Sequence, residues 1–81
     1  MATKGNLIDW VQMALKSAGG SASLLYVAQF IWNNYETQLR ENDLFYTWQY
    51  DMRWAATELR RRGIMVPAEE DRRGKWTLKS V

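Results

Sequence analysis

A mostly helical α+β domain is the fold class this sequence predicts, on three observations. Apolar residues recur at helical spacing over three stretches, two of which stop at glycine. A short apolar run closed by Pro67 follows them, and Gly74 to Leu78 then alternates like a strand. The 81 residues suffice for one domain, 1–81, with a single core over about 6–79.

The first helix is expected over Leu7 to Ala18. Asn6 is a capping type, and Asp9 favours the positive end of the helix dipole. Leu7, Trp10, Val11, Ala14 and Ala18 share one face, and Gly19-Gly20 ends the helix. Ser21-Ala22-Ser23 is a connector able to form a minimal strand. Ser23 then caps a long second helix, Leu24 to Arg40, with Leu24, Val27, Ala28, Ile31, Tyr35 and Leu39 inward. Tyr26, Phe30 and Trp32 widen its apolar surface beyond one stripe, which calls for burial on several sides or for a partner.

Glu41-Asn42-Asp43 ends that helix, and Leu44-Phe45-Tyr46 reads as an apolar plug. Thr47 is the expected cap of the third helix, Trp48 to Arg62, which Gly63 terminates. Ile64-Met65-Val66 reads as a short strand, Ala68 to Arg73 as a charged loop, and Gly74 to Leu78 as the returning strand. Trp76 and Leu78 face one way along it, Lys75 and Thr77 the other. A lone hairpin is unstable in water and must lie on the helices. Three helices followed by a two-stranded β-hairpin wing is the arrangement of a winged helix-turn-helix.

Composition excludes several functions. The chain has no cysteine and no histidine, so thiolate sites, disulfides and the commonest metal ligand and general base are missing. Asp9, Glu36, Asp43, Asp51 and Glu58 are scattered, and no phosphate-binding loop motif is present. The expectation is a non-enzymatic protein without metal, cofactor or small-molecule substrate. With no signal-like start and no apolar run of membrane-spanning length, it is expected to be cytoplasmic. Net charge is only +2 but uneven: residues 1–52 carry three basic and five acidic side chains, residues 53–81 eight and four. The basic end points to an anionic partner.

The segment Arg53-Trp54-Ala55 through Leu59, Arg60-Arg61-Arg62, Gly63 and Ile64 reads as Arg-Trp-Ala, Leu, basic residues, Gly, aliphatic. Arg72-Arg73-Gly74-Lys75-Trp76-Thr77-Leu78 adds Arg-Gly-x-aromatic-x-aliphatic. Together, over residues 48–80, these resemble the winged-helix domain at the N-terminus of Mrr-type restriction endonucleases. The resemblance implies a duplex-DNA-binding module of a restriction or mobile-element context. It implies no nuclease, because cleavage in that family belongs to a separate domain. The family tends to carry more basic residues early in the third helix, where this chain has Tyr50-Asp51.

The third helix is the expected reading element. With Met52, Ala55, Ala56 and Leu59 inward, Tyr50, Arg53, Trp54, Thr57 and Arg61 turn outward or sideways. Gln49 sits in its first turn, the part that docks on base edges, and Thr47 at its cap is a further expected contact. Gln suits adenine, Arg guanine and Thr a thymine methyl. Arg72, Arg73 and Lys75 on the wing, with Lys79, would hold phosphate. The competing account is a solvated polar face, a basic last turn that complements the helix dipole, and a loop whose Glu69-Glu70-Asp71 pair with its arginines. A second function, a protein-interaction or homodimerisation module, rests on the aromatics of the second helix and on Trp54, one of five tryptophans. Trp32 or Trp48 is its further anchor, and Asp51 at the groove face favours it.

Overall fold

A computed structural model describes residues 3–41 and 43–79. Its elements run α1 (Asn6–Ser17), β1 (Ser21–Ser23), α2 (Leu24–Arg40), α3 (Leu44–Arg61), a single 3-10 turn (Ala68–Glu70) and β2 (Lys75–Thr77). This is the expected mostly helical α+β layout, three helices with a two-stranded antiparallel sheet laid against them, but the sheet pairs β2 with β1 from between α1 and α2, and the expected strand 64–66 contributes a single bridge.

The expected cap of α1 is replaced. Residues 3–8 form a backbone turn in which Asn6, Leu7 and Ile8 N–H groups donate to the Thr3, Lys4 and Gly5 carbonyls. Those bonds satisfy the first donors, so the Asn6 side chain instead accepts from Thr3 N at 2.8 Å. α1 and α3 end alike. Gly19 (φ 87°) and Gly63 (φ 77°) take the left-handed conformation that closes a helix. Gly20 N and Ile64 N then donate to the carbonyls of Leu15 and Leu59, at 2.7 and 2.9 Å.

α2 spans the expected residues, and the Ser23 hydroxyl accepts from Tyr26 N at 3.1 Å. Such a cap is worth about 1 kcal/mol. The helix kinks at Tyr35 (φ −130°, ψ 19°). There the Asn34 amide donates to the Phe30 carbonyl at 2.8 Å. The kink lays Tyr35 flat on Trp10, ring centroids 4.2 Å apart, and ties α2 to α1. Trp32 stacks on Trp48 of α3 at 6.0 Å. The extra aromatics of α2 are therefore largely spent inside the molecule.

α3 begins a turn earlier than Thr47 suggested. Leu44-Phe45-Tyr46 is helical, Leu44 is buried, and Tyr46 N donates to the Asp43 carbonyl at 3.0 Å. Thr47 is not a cap: its hydroxyl donates to Asp51 Oδ2 at 2.8 Å, one turn ahead. Gln49 accordingly lies in the second turn of α3, not in its first.

β2 is the middle strand of the wing. On one side it pairs antiparallel with β1, with Ala22 opposite Trp76. On the other, the arm 64–66 meets 77–79 in one bridge, Met65 to Leu78, with Val66 N donating to Thr77 O and Lys79 N to Ile64 O. The Ile64–Val66 arm pairs no further, because the chain turns away after Pro67 into the 3-10 turn Ala68–Glu70. Trp76, Leu78 and Met65 are buried in one core with Leu7, Leu15, Ile31, Leu39 and Leu59. The wing is thus fastened to all three helices.

Candidate nucleic-acid interface

Helical periodicity divides α3. Leu44, Trp48, Met52, Ala55, Ala56 and Leu59 are buried. Tyr46, Tyr50, Arg53, Thr57 and Arg61 face solvent along the opposite ridge, Tyr46 at 83% and Tyr50 at 78% exposure.

The two flanks of that ridge differ in charge. One carries Asp51, Trp54 and Glu58. Lys4 from the N-terminal turn lies over the Trp54 ring, 4.5 Å from its centroid. Glu58 is held by Arg61, at 2.6 Å from Nη2 and 3.3 Å from Nε, with Arg62 Nε at 3.7 Å. The Arg61 hydrogen bond, supported by the charges of Arg61, Arg62 and Lys4, keeps the Glu58 carboxyl below the usual carboxylate range. The other flank carries Gln49 and Arg60 and faces the first turn of α2 and the sheet. Gln49 lines a groove of 220 Å³ with Leu24, Leu25, Ala28, Met52 and Arg53.

Arg53 is the common element. It borders that groove, a second with Tyr50, Trp54 and Thr57, and a third with Leu24, Ala56, Thr57, Arg60 and Trp76. Among the described residues its guanidinium has no ion-pair partner. The Thr57 hydroxyl donates to the Arg53 carbonyl at 3.2 Å.

The sequence-derived residues therefore fall into three groups. Gln49, Tyr50, Arg53 and Thr57 come together on the outer face of α3. Thr47 and Arg61 are engaged inside the molecule, with Asp51 and Glu58. Arg72, Arg73 and Lys75 are exposed on the wing and form no ion pair among the described residues. Arg72 and Lys75 share a groove with Glu70 and Asp71, so that groove is of mixed charge. Asp71 is a fastener: its Oδ1 accepts from Arg72 N and from the Thr77 hydroxyl, each at 2.8 Å. The Thr77 oxygen in turn accepts from Ser21 at 2.9 Å.

Three features escaped the sequence reading. Lys4 on Trp54 joins residues fifty apart and leaves no local signal. Trp48 is buried beneath Trp32, so it is no surface anchor. Arg60 points away from its two neighbours, and its spacing of seven from Arg53 already placed both on one helical face. Among the described residues no three His, Cys, Asp or Glu side chains group as a metal site requires, and no helix is long and apolar enough to cross a membrane. Comparison with family models, with curated proteins and with solved structures gives no match to this chain.

Proposed function

We propose that this is a cytoplasmic, non-enzymatic DNA-binding domain that lays the outer face of α3 in the major groove of a duplex and rests its wing on phosphate. One observation carries the reading. Arg53 stands exposed at the centre of that face, outside any ion pair among the described residues, with Gln49 and Thr57 one turn to either side. These three span about 12 Å of helix at 1.5 Å rise per residue. That length covers the edges of three to four base pairs, and the groove is wide enough to admit a helix. The unpaired wing cations and the likeness of residues 48–80 to the Mrr-type winged helix, with its restriction or mobile-element context, support the same reading.

The test is a titration of labelled protein with mixed-sequence duplex, followed by NMR at low and moderate salt. Shifts confined to residues 47–62 and 68–76, fading as salt rises, are expected. Arg53→Ala should then lose about 1–3 kcal/mol of base discrimination. Absence of shifts at low salt overturns the proposal.

A second reading, a protein-interaction or homodimer surface, is favoured by the exposure of Leu25 (66%), Tyr46 and Tyr50 beside the same face. It predicts self-association or partner capture that is insensitive to salt. A monomer by light scattering at high concentration removes the homodimer form.

A further inference from the structure

The Arg60-Arg61-Arg62 run looks uniform in sequence, but the fold separates its members. Arg61 and Arg62 turn to Glu58. Arg60 turns to the opposite flank, where its Nε donates to the Val66 carbonyl at 3.2 Å and the side chain is half-buried. That bond fixes the guanidinium plane and uses one of its five donors. Among the described residues no carboxylate pairs with it.

The groove beside it, 290 Å³ in volume, is lined by Leu24, Arg53, Ala56, Thr57, Arg60 and Trp76. Both of its charged groups are arginines, and among the described residues no carboxylate contributes. The wing groove, by contrast, mixes Glu70 and Asp71 with Arg72 and Lys75. Arg53, Thr57 and Arg60 stand at i, i+4 and i+7 on one helical face, with apolar Ala56, Leu24 and Trp76 filling the wall. Two guanidinia over an apolar wall, without a competing acid among the described residues, suit a phosphate group, whose oxygens take charge-assisted hydrogen bonds from arginine.

We infer that Arg60, held by the Val66 carbonyl, forms a phosphate seat between α3 and the sheet to which Arg53 lends its Nε–H while its terminal amino groups stay available to a base edge, and that its occupant is one backbone phosphate of the bound nucleic acid. The occupant rests on the DNA-binding reading of α3; the seat itself does not. The duplex would then approach from the α2 and sheet side of α3, away from Asp51 and Glu58. Arg60 becomes a contact residue, and Arg61 is not one.

The experiment follows the Arg60 and Arg53 Nε–H resonances of the full chain during titration with duplex, and separately with inorganic phosphate. Salt dependence of duplex affinity is then measured for the parent, Arg60→Gln and Arg61→Gln. Both Nε–H signals should move with duplex. Arg60→Gln should flatten the fall in affinity between 50 and 200 mM salt by about threefold, one phosphate's worth, equally for all sequences. Arg61→Gln should leave that fall unchanged. In the parent, a neutral methylphosphonate linkage moved along the duplex should cost affinity at one position, and in Arg60→Gln that cost should vanish. If Arg60→Gln loosens the wing, Arg60→Lys keeps the cation and should retain the parent's salt dependence. Duplex binding with a silent Arg60 signal and an unchanged salt slope overturns the seat while leaving DNA binding intact. If duplex does not bind, a saturable phosphate shift at Arg60 and Arg53 keeps the seat for a free anion and rejects the nucleic-acid occupant. No shift with either ligand overturns both.

Discussion

The end of α3 and the tip of the wing each carry three cations within four residues: Arg60, Arg61 and Arg62 in one, Arg72, Arg73 and Lys75 in the other. By composition the wing is the better neutralised, with Glu69, Glu70 and Asp71 beside it against a single Glu58. The structure reverses that order. Glu58 alone engages Arg61 and Arg62, because helical spacing of three and four brings side chains together. On the wing, acids adjacent in sequence form no ion pair with the cations among the described residues, and Asp71 spends one oxygen on Arg72 N and Thr77. Neutralisation thus follows the spacing that secondary structure imposes more than the number of opposite charges nearby. Among the described residues the wing has three cations outside any ion pair, and the helix end has one, Arg60.

The largest effect should come from removing what holds the two regions in one frame. Leu59 is fully buried beneath the end of α3, and its carbonyl accepts from Ile64 N at 2.9 Å and Met65 N at 3.2 Å, where the wing begins. Leu59→Ala should cost about 2–5 kcal/mol in urea unfolding, the range for emptying a packed leucine site. A domain this small has little to spare, so the variant should be partly unfolded at ambient temperature. A loss under about 1 kcal/mol, below that range, would mean that helix end and wing are not carried by a common core.

A smaller effect separates the regions directly. Arg72→Ala with Arg73→Ala should weaken binding to all duplexes alike and lower the salt slope by about 2, one per phosphate contact. Arg61→Ala should change the slope little, since Glu58 already engages that guanidinium. Fluorescence anisotropy at four or five salt concentrations measures both. Equal slopes for the double variant and Arg61→Ala would break the contrast.

What the sequence disclosed follows the same division between local and distant causes. The bounds of α2 and the buried face of α3 were readable, because a serine cap and a 3.6-residue period act within a few residues. The start of α3 was misread at Thr47, a capping type whose hydroxyl instead finds Asp51 one turn ahead, so the helix runs through it. The partnership of β1 with β2 joins segments more than fifty residues apart and is three residues long, too short for a pattern of its own. At the site, Gln49, Arg53 and Thr57 were legible from spacing. The loss of Arg61 to Glu58 is a local i, i+3 pair that spacing also allowed. The anchoring of Arg60 by Val66 depends on how the wing folds back and had no counterpart in the periodicity.

The smallest effect tests the helix end alone. Arg61, chiefly through its hydrogen bond, lowers the Glu58 carboxyl in the folded chain below its ordinary value of 4.5. A group lowered on folding adds stability above its unfolded value and loses it as pH falls through its folded one. The melting temperature of Glu58→Gln should therefore lie slightly below the parent's at neutral pH. That gap should narrow below about pH 4.5 and close once Glu58 is protonated in both states. The pair is exposed on the arginine side, so the gap should be small and should shrink with added salt. The same substitution removes a negative charge beside α3, so duplex affinity at low salt should rise slightly while the salt slope, set by contacts on the opposite flank, stays near the parent's. A gap independent of pH would show that Glu58 does not hold these arginines in solution.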